Sequence, residues 1–176
     1  MEEIYNQFET DRLWLRPTST EDTNFIFELL NSPKWLRYIG DRNLKSEDDA
    51  KRYIEERMLP QLKRLGYANN TVIRKSDGIK MGTCGLYDRE GVEGVDIGYA
   101  FLPQFEGQGY AYEASNRLKK AAFTDFNIAV LNAYTSEENL ASQRLLNKLG
   151  FTLKGPAYLP NDDKELLLFQ LNRTTK

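Results

Sequence analysis

An apolar run, a glycine-bearing turn and a helical pattern follow one another near the middle of the chain. The run covers Val95 to Leu102, the turn covers Gln104 to Gly109, and the helical pattern begins at Tyr110. Backbone amides at such a turn lack intrahelical partners, and the helix dipole adds partial positive charge there. Glycines at 107 and 109 permit positive φ and leave the main chain open to a ligand. The stretch predicts an anion cradle, although an ordinary strand-to-helix turn also fits a bare pair of glycines.

Hydrophobic periodicity along the rest of the chain predicts a mixture of strands and helices. The predicted strands cover residues 13–17, 67–74, 80–87, 95–102, 129–135, 151–154 and 165–171. The predicted helices follow a capping box at Thr18–Glu21 and a second start at Ser46, and cover residues 110–126 and 139–149. Residues 35–42 are expected to form a loop, and Pro60 is expected to kink or break the second helix. No linker or repeat divides residues 1–176, which favours a single domain of the α/β (α+β) class.

Composition narrows the chemistry that the chain can perform. Histidine is absent, which excludes histidine bases, Ser–His or Cys–His nucleophile pairs and histidine metal ligands. The single Cys84 excludes an intrachain disulfide and a multi-cysteine metal site, and its apolar neighbours predict a buried, inert thiol. No metal is therefore expected, and catalysis must rest on carboxylates, hydroxyls, amines, water or the main chain.

Charge and hydropathy indicate which partners and which cellular location to expect. The net charge is −2 and no run of Lys or Arg is present, so no nucleic-acid partner is expected. No apolar stretch approaches the length that spans a bilayer, so no membrane partner is expected either. The acidic start Met1-Glu2-Glu3 lacks the apolar region of a signal peptide, which favours a cytoplasmic location.

Further motifs follow the cradle in a definite order. Asn139-Leu140-Ala141-Ser142 opens the last predicted helix, and Lys148-Leu149-Gly150-Phe151 closes it. Together with Gln104-x-x-Gly107-x-Gly109-Tyr110-Ala111, they resemble the GNAT acetyltransferase superfamily over nearly the whole chain. Residues 35–42, which contain Ile39-Gly40-Asp41-Arg42, and the stretch Tyr110–Ala114 are similar to the branch that contains Rim-type ribosomal-protein N-terminal acetyltransferases.

The resemblance implies a mixed, mostly antiparallel twisted sheet of about seven strands, flanked by about four helices. Strand 95–102 would splay from strand 129–135, and the pantetheine arm of acetyl-CoA would lie in the gap. Acetyl-CoA would act as a cosubstrate and an amine as the acceptor. Homodimers are usual in this family, so a homodimer is compatible with the resemblance.

The same resemblance implies which residues hold acetyl-CoA. The main chain of Phe101 and Leu102 would contact the pantetheine. The Asn139 side chain would bond a pantetheine amide, although asparagine also favours the N-cap position of a helix. The pyrophosphate would be held by the backbone amides of the residues Gly107, Gln108, Gly109, Tyr110 and Ala111.

The implied reaction is direct attack of a neutral primary amine on the thioester in a ternary complex. A lysine-like amine with a pKa of ~10.4 costs about 4–5 kcal/mol to neutralise at pH 7, and an α-amine of pKa ~7.7–8.0 costs about 1 kcal/mol. An α-amine therefore needs only a modest base. Asp96 is the first candidate for that base, with a surface strand position as the alternative reading. Glu93 is the second candidate, and Glu113 is expected to have a structural role near the helix dipole.

The leaving thiolate needs a proton, and here the chain departs from the family. Many members have Tyr seven residues after the conserved Asn, a position that Leu146 occupies in this chain. Ser142 can hydrogen-bond the thioester sulfur and is the expected replacement, with an ordinary helix serine as the alternative. Tyr134 and Tyr158 are weaker candidates. A thiolate with a pKa near ~8.5 can also leave unaided.

The acceptor is the least determined part of the prediction. A protein N-terminal α-amine follows from the Rim-type similarity, while a polyamine, an antibiotic or another small amine is an alternative. A non-catalytic module that binds CoA is a further alternative, favoured by Leu146. The aromatic side chains of Trp35, Tyr38 and Tyr67 are expected either to line the acceptor pocket or to pack in the core.

Overall fold

The computed structural model describes residues 4–174, in which helices pack against one mixed sheet. The strands are β1 Phe8–Glu9, β2 Leu13–Pro17, β3 Asn69–Arg74, β4 Lys80–Asp88, β5 Val95–Phe101, β6 Val130–Thr135, β7 Thr152–Ala157 and β8 Leu166–Asn172. The helices are α1 Thr23–Leu30, α2 Pro33–Tyr38, α3 Glu47–Tyr53, α4 Leu59–Leu65, α5 Tyr110–Thr124 and α6 Leu140–Lys148. None of the helices in this range is long and apolar enough to cross a membrane.

The sheet runs in the order β1-β2-β3-β4-β5-β6-β8-β7. Only β5 and β6 are parallel, and all other neighbouring strands are antiparallel. The mixed, mostly antiparallel architecture predicted from the sequence is confirmed. The count rises to eight strands because the two-residue strand β1 pairs with β2.

The sheet opens at its centre. Strands β5 and β6 share only two register pairs, Val95 with Leu131 and Asp96 with Asn132. Beyond Asp96 the edge of β5 that faces β6 has no strand partner, whereas its other edge stays paired with β4 as far as Phe101. The expected splay of the two strands is therefore present, and Asp96 lies where the gap begins.

Two hydrophobic clusters cover opposite faces of the sheet. Ile97 and Phe101 of β5 belong to the cluster beneath α5, whereas Leu102 belongs to the cluster beneath α1 and α3. Side chains alternate along a strand, so these clusters lie on different sides. Cys84 is fully buried beneath α5, and burial raises the pKa of its thiol to about 12, which confirms the expected inert cysteine.

Three local predictions need correction. Residues 35–42 do not form a loop throughout, because Pro33 at the first helical position starts α2, which extends to Tyr38. The capping box near the first helix begins at Ser19, not Thr18, and its reciprocal partner is Asp22. Pro60 does not break the second helix, because residues 54–58 form a π-helical segment that joins α3 directly to α4.

Candidate active site

The predicted cradle has the geometry of an anion-binding helix start. Gly107 has a φ of 71° and Gly109, the N-cap of α5, has a φ of 83°. The first helical bond runs from the Glu113 N–H to the Gly109 carbonyl at 3.1 Å, so the amides before it have no partner within the helix. A Cβ at Gly107 would point into open space, which leaves the main chain accessible to a ligand. Free amides, the dipole of a fifteen-residue helix and an open approach fit a phosphate group.

Arg12, between β1 and β2, holds the cradle, a role that no local sequence pattern indicates. Its Nη1 donates to the Gln108 carbonyl at 3.0 Å, and its guanidinium lies 4.3 Å from the centre of the Tyr110 ring. Glu113 accepts bonds from the Arg12 N–H at 2.9 Å, from Arg12 Nε at 2.7 Å and from Thr10 Oγ1 at 2.6 Å. Partial burial alone would raise the pKa of Glu113, but these hydrogen bonds outweigh it and lower that pKa. Glu113 thus has the structural role expected for it.

A cavity of about 890 Å³ begins at the cradle and passes through the gap in the sheet. On one side its wall comes from α5 and α6, including Tyr112, Leu145 and Lys148. On the other side it comes from α2 and the segment joining α3 to α4, including Tyr38 and Arg57. We call the first side the donor half and the second the acceptor half. The volume lies in the range that holds a small-molecule ligand or cofactor.

Most of the residues predicted for the site lie on this one wall. The members that line the cavity are Asp96, Phe101, Gly107, Gly109, Tyr110, Ala111, Asn139 and Ser142. Two predicted members are not on the wall. Leu102 packs beneath α1 and α3, and the Gln108 side chain bonds the Gln104 carbonyl at 3.0 Å. Main-chain contacts of these two residues with a ligand stay a prediction.

Asn139 caps α6 and also lines the cavity. Its Oδ1 accepts the Ser142 N–H at 3.2 Å and so caps α6. Its Nδ2 makes no hydrogen bond within residues 4–174 and is therefore available as a donor at the cavity wall. An asparagine that caps the helix with its side-chain oxygen and keeps its side-chain N–H groups free fits the predicted contact with a pantetheine carbonyl.

Ser142 has a partner that the sequence did not reveal. The Oη atom of Tyr99, on β5, lies 3.0 Å from Ser142 Oγ and 3.3 Å from the Ser142 carbonyl. Burial raises the pKa of Tyr99 to about 12, so its hydroxyl stays protonated near neutral pH. Leu146 is 1% exposed and belongs to the core. The Tyr99–Ser142 pair thus supplies hydroxyl groups on the same cavity wall as Leu146, which has no hydroxyl to donate.

Asp96 is a buried ion-pair partner and not a surface residue. It is 4% exposed, and its two carboxylate oxygens accept bonds from Arg89 at 2.8 and 3.0 Å. Burial raises the pKa of Asp96, and the Arg89 bonds oppose that rise without cancelling it. Glu93, the second base candidate, is exposed on the turn before β5. Only Asp96 therefore combines burial with a place at the opening of the sheet.

Tyr87 forms part of the acceptor half beside Asp96. Its Oη donates to Asn69 Oδ1 at 2.6 Å. A Cβ at Gly98 would lie 2.9 Å from the Tyr87 ring, and one at Gly85 would lie 2.6 Å from its Oη. These two glycines leave the space that the ring occupies. Trp35 and Tyr38 also line the cavity. Tyr67 instead packs against Phe126 with ring centres 4.9 Å apart. The three aromatic residues expected in the pocket or the core are therefore divided between the two.

Comparison with known proteins gives this arrangement a context. The sequence model of a family described as "Acetyltransferase (GNAT) domain" matches residues 12–152. A Bacillus licheniformis protein named "Uncharacterized N-acetyltransferase p20" is 30% identical over 159 residues, which cover 88% of this chain and 85% of that protein.

Solved structures share the fold. An acetyltransferase from Agrobacterium tumefaciens superposes with a TM-score of 0.80 and 24% identity, covering 98% of this chain and 99% of that one. A ribosomal L7/L12 α-N-protein acetyltransferase solved in complex with coenzyme A superposes with a TM-score of 0.76 and 19% identity, covering 95% of this chain and 98% of that one.

Proposed function

This chain belongs to the GNAT acetyltransferase family, and we propose that it transfers the acetyl group of acetyl-CoA to a primary α-amine at a peptide or protein N-terminus. The observation that carries the proposal is the cavity that crosses the sheet between β5 and β6. An anion cradle lies at one end of it and a buried carboxylate lies at the opening of the strands. A donor can therefore enter from one face of the sheet and an amine from the other.

The donor half supplies groups suited to each part of acetyl-CoA. Amides before Glu113 would hold the pyrophosphate, and Arg12 keeps their loop in place through its bond to the Gln108 carbonyl. The unpaired edge of β5 beyond Asp96 would pair with the pantetheine main chain, and the Asn139 Nδ2 would donate to one of its carbonyls. The thioester would then lie in the gap near Tyr99 and Ser142.

In the proposed reaction the amine nitrogen bonds to the acetyl carbon as the carbon–sulfur bond breaks. Asp96 would take the amine proton through a water molecule, using the second lone pair on each oxygen that Arg89 leaves available. Ser142 Oγ would give a proton to the sulfur and regain one from solvent as the products leave, when Asp96 also returns its proton to solvent. The Tyr99 hydroxyl donates to Ser142 and positions it. Even with its pKa raised by burial, a carboxylate is only a modest base, which favours an α-amine over a lysine-like amine.

The Asp96→Asn variant tests the base. We expect kcat/KM to fall by about 100-fold at neutral pH, the usual size of a general-base contribution. In the parent enzyme, kcat/KM should fall as the pH drops through the raised pKa of Asp96, because protonation removes the base. The variant should lack that acidic limb. Initial rates of thiol release across the pH range measure both effects.

Asp88→Asn is the matched control, because Asp88 also lines the cavity but pairs with Arg64 on the surface at 2.9 Å. Its pH profile should keep the shape of the parent profile. An unchanged acidic limb in a folded Asp96→Asn variant would remove Asp96 from the role of base.

The proposed function itself is tested with peptides that carry one α-amine and one internal lysine. We expect thiol release that depends on acetyl-CoA, and mass spectrometry should place the acetyl group on the α-amine. The same peptides with a formylated N-terminus serve as the control and should show no turnover. Acetylation of the lysine side chain, or turnover confined to spermidine or an aminoglycoside, would contradict the proposed acceptor. Absence of both acetyl-CoA binding and turnover would contradict the proposed catalysis.

A further inference from the structure

We infer that the acceptor carries negative charge next to its reactive α-amine, as in a peptide whose second and third residues are acidic. The inference rests on the proposed function and deepens it by naming the class of acceptor. It comes from the free and occupied polar groups on the cavity wall. Carboxylates on that wall are bonded within the protein, whereas several cations and one buried N–H donor have no anionic partner.

Four carboxylates line the cavity in the described residues 4–174; three accept bonds from basic side chains and the fourth accepts one from a backbone amide. Asp96 binds Arg89, and Asp88 binds Arg64. The remaining two are Glu106, which pairs with Lys34, and Asp162, which accepts the amide N–H of Lys164 at 2.9 Å. A second ammonium group on the acceptor would therefore have to compete for carboxylates that are already engaged.

Three cations of the acceptor half, in contrast, have no carboxylate partner within residues 4–174. Arg42 follows α2 and Arg57 lies in the π-helical segment, and both line the cavity. Neither forms an ion pair within residues 4–174. Lys164, from the loop between β7 and β8, donates its Nζ to the Tyr38 carbonyl at 3.3 Å, which brings that loop against α2. Three positive charges thus surround one entrance without a carboxylate partner of their own.

A buried hydrogen-bond donor on the cavity wall also lacks a partner, like the three cations. Trp35 Nε1 is buried and has no hydrogen-bond partner in the described part of the chain, and Trp35 lines the cavity. The indole N–H can only donate, and a buried donor left unpaired is costly. An oxygen acceptor on the ligand would satisfy it. A carboxylate-bearing peptide supplies such oxygens, whereas a polyamine supplies only additional donors.

Two consequences follow for the choice of acceptor. Like charges facing one another across a binding site suppress the wrong partner, so spermidine should be rejected at this entrance. Positive charges near the amine also favour its neutral form, which is the form that attacks. The acidic side chains of the peptide would meet Arg42, Arg57 and Lys164 while the α-amine reaches the gap near Asp96.

Three peptides that differ only in charge test the inference. Each begins with serine, followed by two aspartates, two glutamines or two lysines, and the rest of each peptide is identical. We expect kcat/KM for the acidic peptide to exceed that for the basic peptide by about ten-fold or more at low salt, with the neutral peptide between them. The ratio should shrink at high salt, because exposed charges are screened. Spermidine should show no turnover.

A double variant, Arg42→Gln with Arg57→Gln, identifies the source of the preference. We expect it to reduce the ratio between acidic and basic peptides to about two-fold, mainly through a higher KM for the acidic peptide. Both side chains are exposed, so the variant should keep the parent stability. Arg144→Gln is the matched control, because Arg144 is exposed on α6 and does not line the cavity. It should keep the parent ratio.

The outcomes separate this inference from the function on which it rests. Equal kcat/KM for the three peptides, or a preference for the basic peptide or spermidine, would overturn the inference and leave the acetyltransferase activity standing. A preference that the double variant retains would overturn the assignment to Arg42 and Arg57. No turnover of any peptide would overturn the proposed acceptor and the inference together.

Discussion

An Asp22→Asn variant is expected to lose about 3 kcal/mol of unfolding free energy, the lower end of the effect of breaking a buried ion pair. The Asp22 side chain is 0% exposed. It accepts two bonds of 2.7 Å from Arg16 and one from Lys80 at 2.7 Å. Thr71 Oγ1 donates at 2.9 Å and the Ser19 N–H at 3.0 Å. An amide cannot replace this acceptor, and it would leave two cations without a counter-charge.

The pH dependence of stability provides a second test of the hydrogen bonds around Asp22. Burial alone would raise the pKa of Asp22, but the bonds from Arg16, Lys80 and Ser19 outweigh it and lower that pKa to about 2 from an ordinary 3.8. A lowered pKa contributes stability above the unfolded value that is lost as the pH falls towards the folded value. We therefore expect a loss of about 1 kcal/mol between pH 4 and pH 2, after allowing for screening at the partly exposed cations. The variant should lack this component.

Urea unfolding followed by circular dichroism at pH 4 and pH 2 measures both quantities. Asp77→Asn is the control, since Asp77 pairs with Arg74 in an exposed hairpin turn and should change stability little. A variant at position 22 that matches the parent at both pH values would contradict the importance of this network. The network also matters for the site, because it ties α1 to β2, β3 and β4 and so holds the helices that line the acceptor half.

Removal of the Ser142 hydroxyl should produce a large loss of kcat. We expect Ser142→Ala to lower kcat by about 100-fold with little change in the KM for acetyl-CoA, because proton donation to the sulfur matters only as the bond breaks. Ser142→Thr keeps a hydroxyl and should recover much of the rate. Steady-state thiol release at saturating acetyl-CoA measures kcat for each variant. A Ser142→Ala variant with the parent kcat would mean that the thiolate leaves unaided.

Tyr99→Phe separates positioning from proton donation. If Tyr99 only holds Ser142 through the 3.0 Å bond, its loss should lower kcat by about ten-fold, and the double variant should be no slower than Ser142→Ala. A larger loss for Tyr99→Phe than for Ser142→Ala would instead make Tyr99 the proton donor. Ser76→Ala, in a hairpin turn far from the cavity, controls for removal of a hydroxyl and should be silent.

Local sequence signals were sufficient for much of the fold and for the donor half of the site. The cradle could be predicted because its glycines, its preceding strand and its helix are contiguous, so the geometry depends on neighbouring residues. Helix boundaries were less certain. The sequence alone did not separate a loop from the short helix α2, or place the first capping box at Ser19, because propensities differ by fractions of a kcal/mol at such positions.

The features of the site that could not be predicted from the sequence are contacts between residues far apart in the chain. Arg12 meets Gln108 and Glu113 about a hundred positions later, and Tyr99 meets Ser142 across the gap between β5 and α6. Such contacts depend on the register of the sheet and on which face each strand presents, and no local pattern records them. Asp96 could be placed on a strand, but its burial against Arg89 required the tertiary structure.

Composition and adjacent residues were enough to predict a mixed α/β protein without histidine chemistry, and a glycine turn at a helix start with the geometry of an anion cradle. The tertiary structure alone decided which polar groups meet in the cavity. It paired Asp96 with Arg89 and joined Tyr99 to Ser142, and it gave Arg42 and Arg57 no ion pair within residues 4–174. The physical reason is that hydrogen bonds and ion pairs act over a few ångströms in space, whatever the distance along the chain.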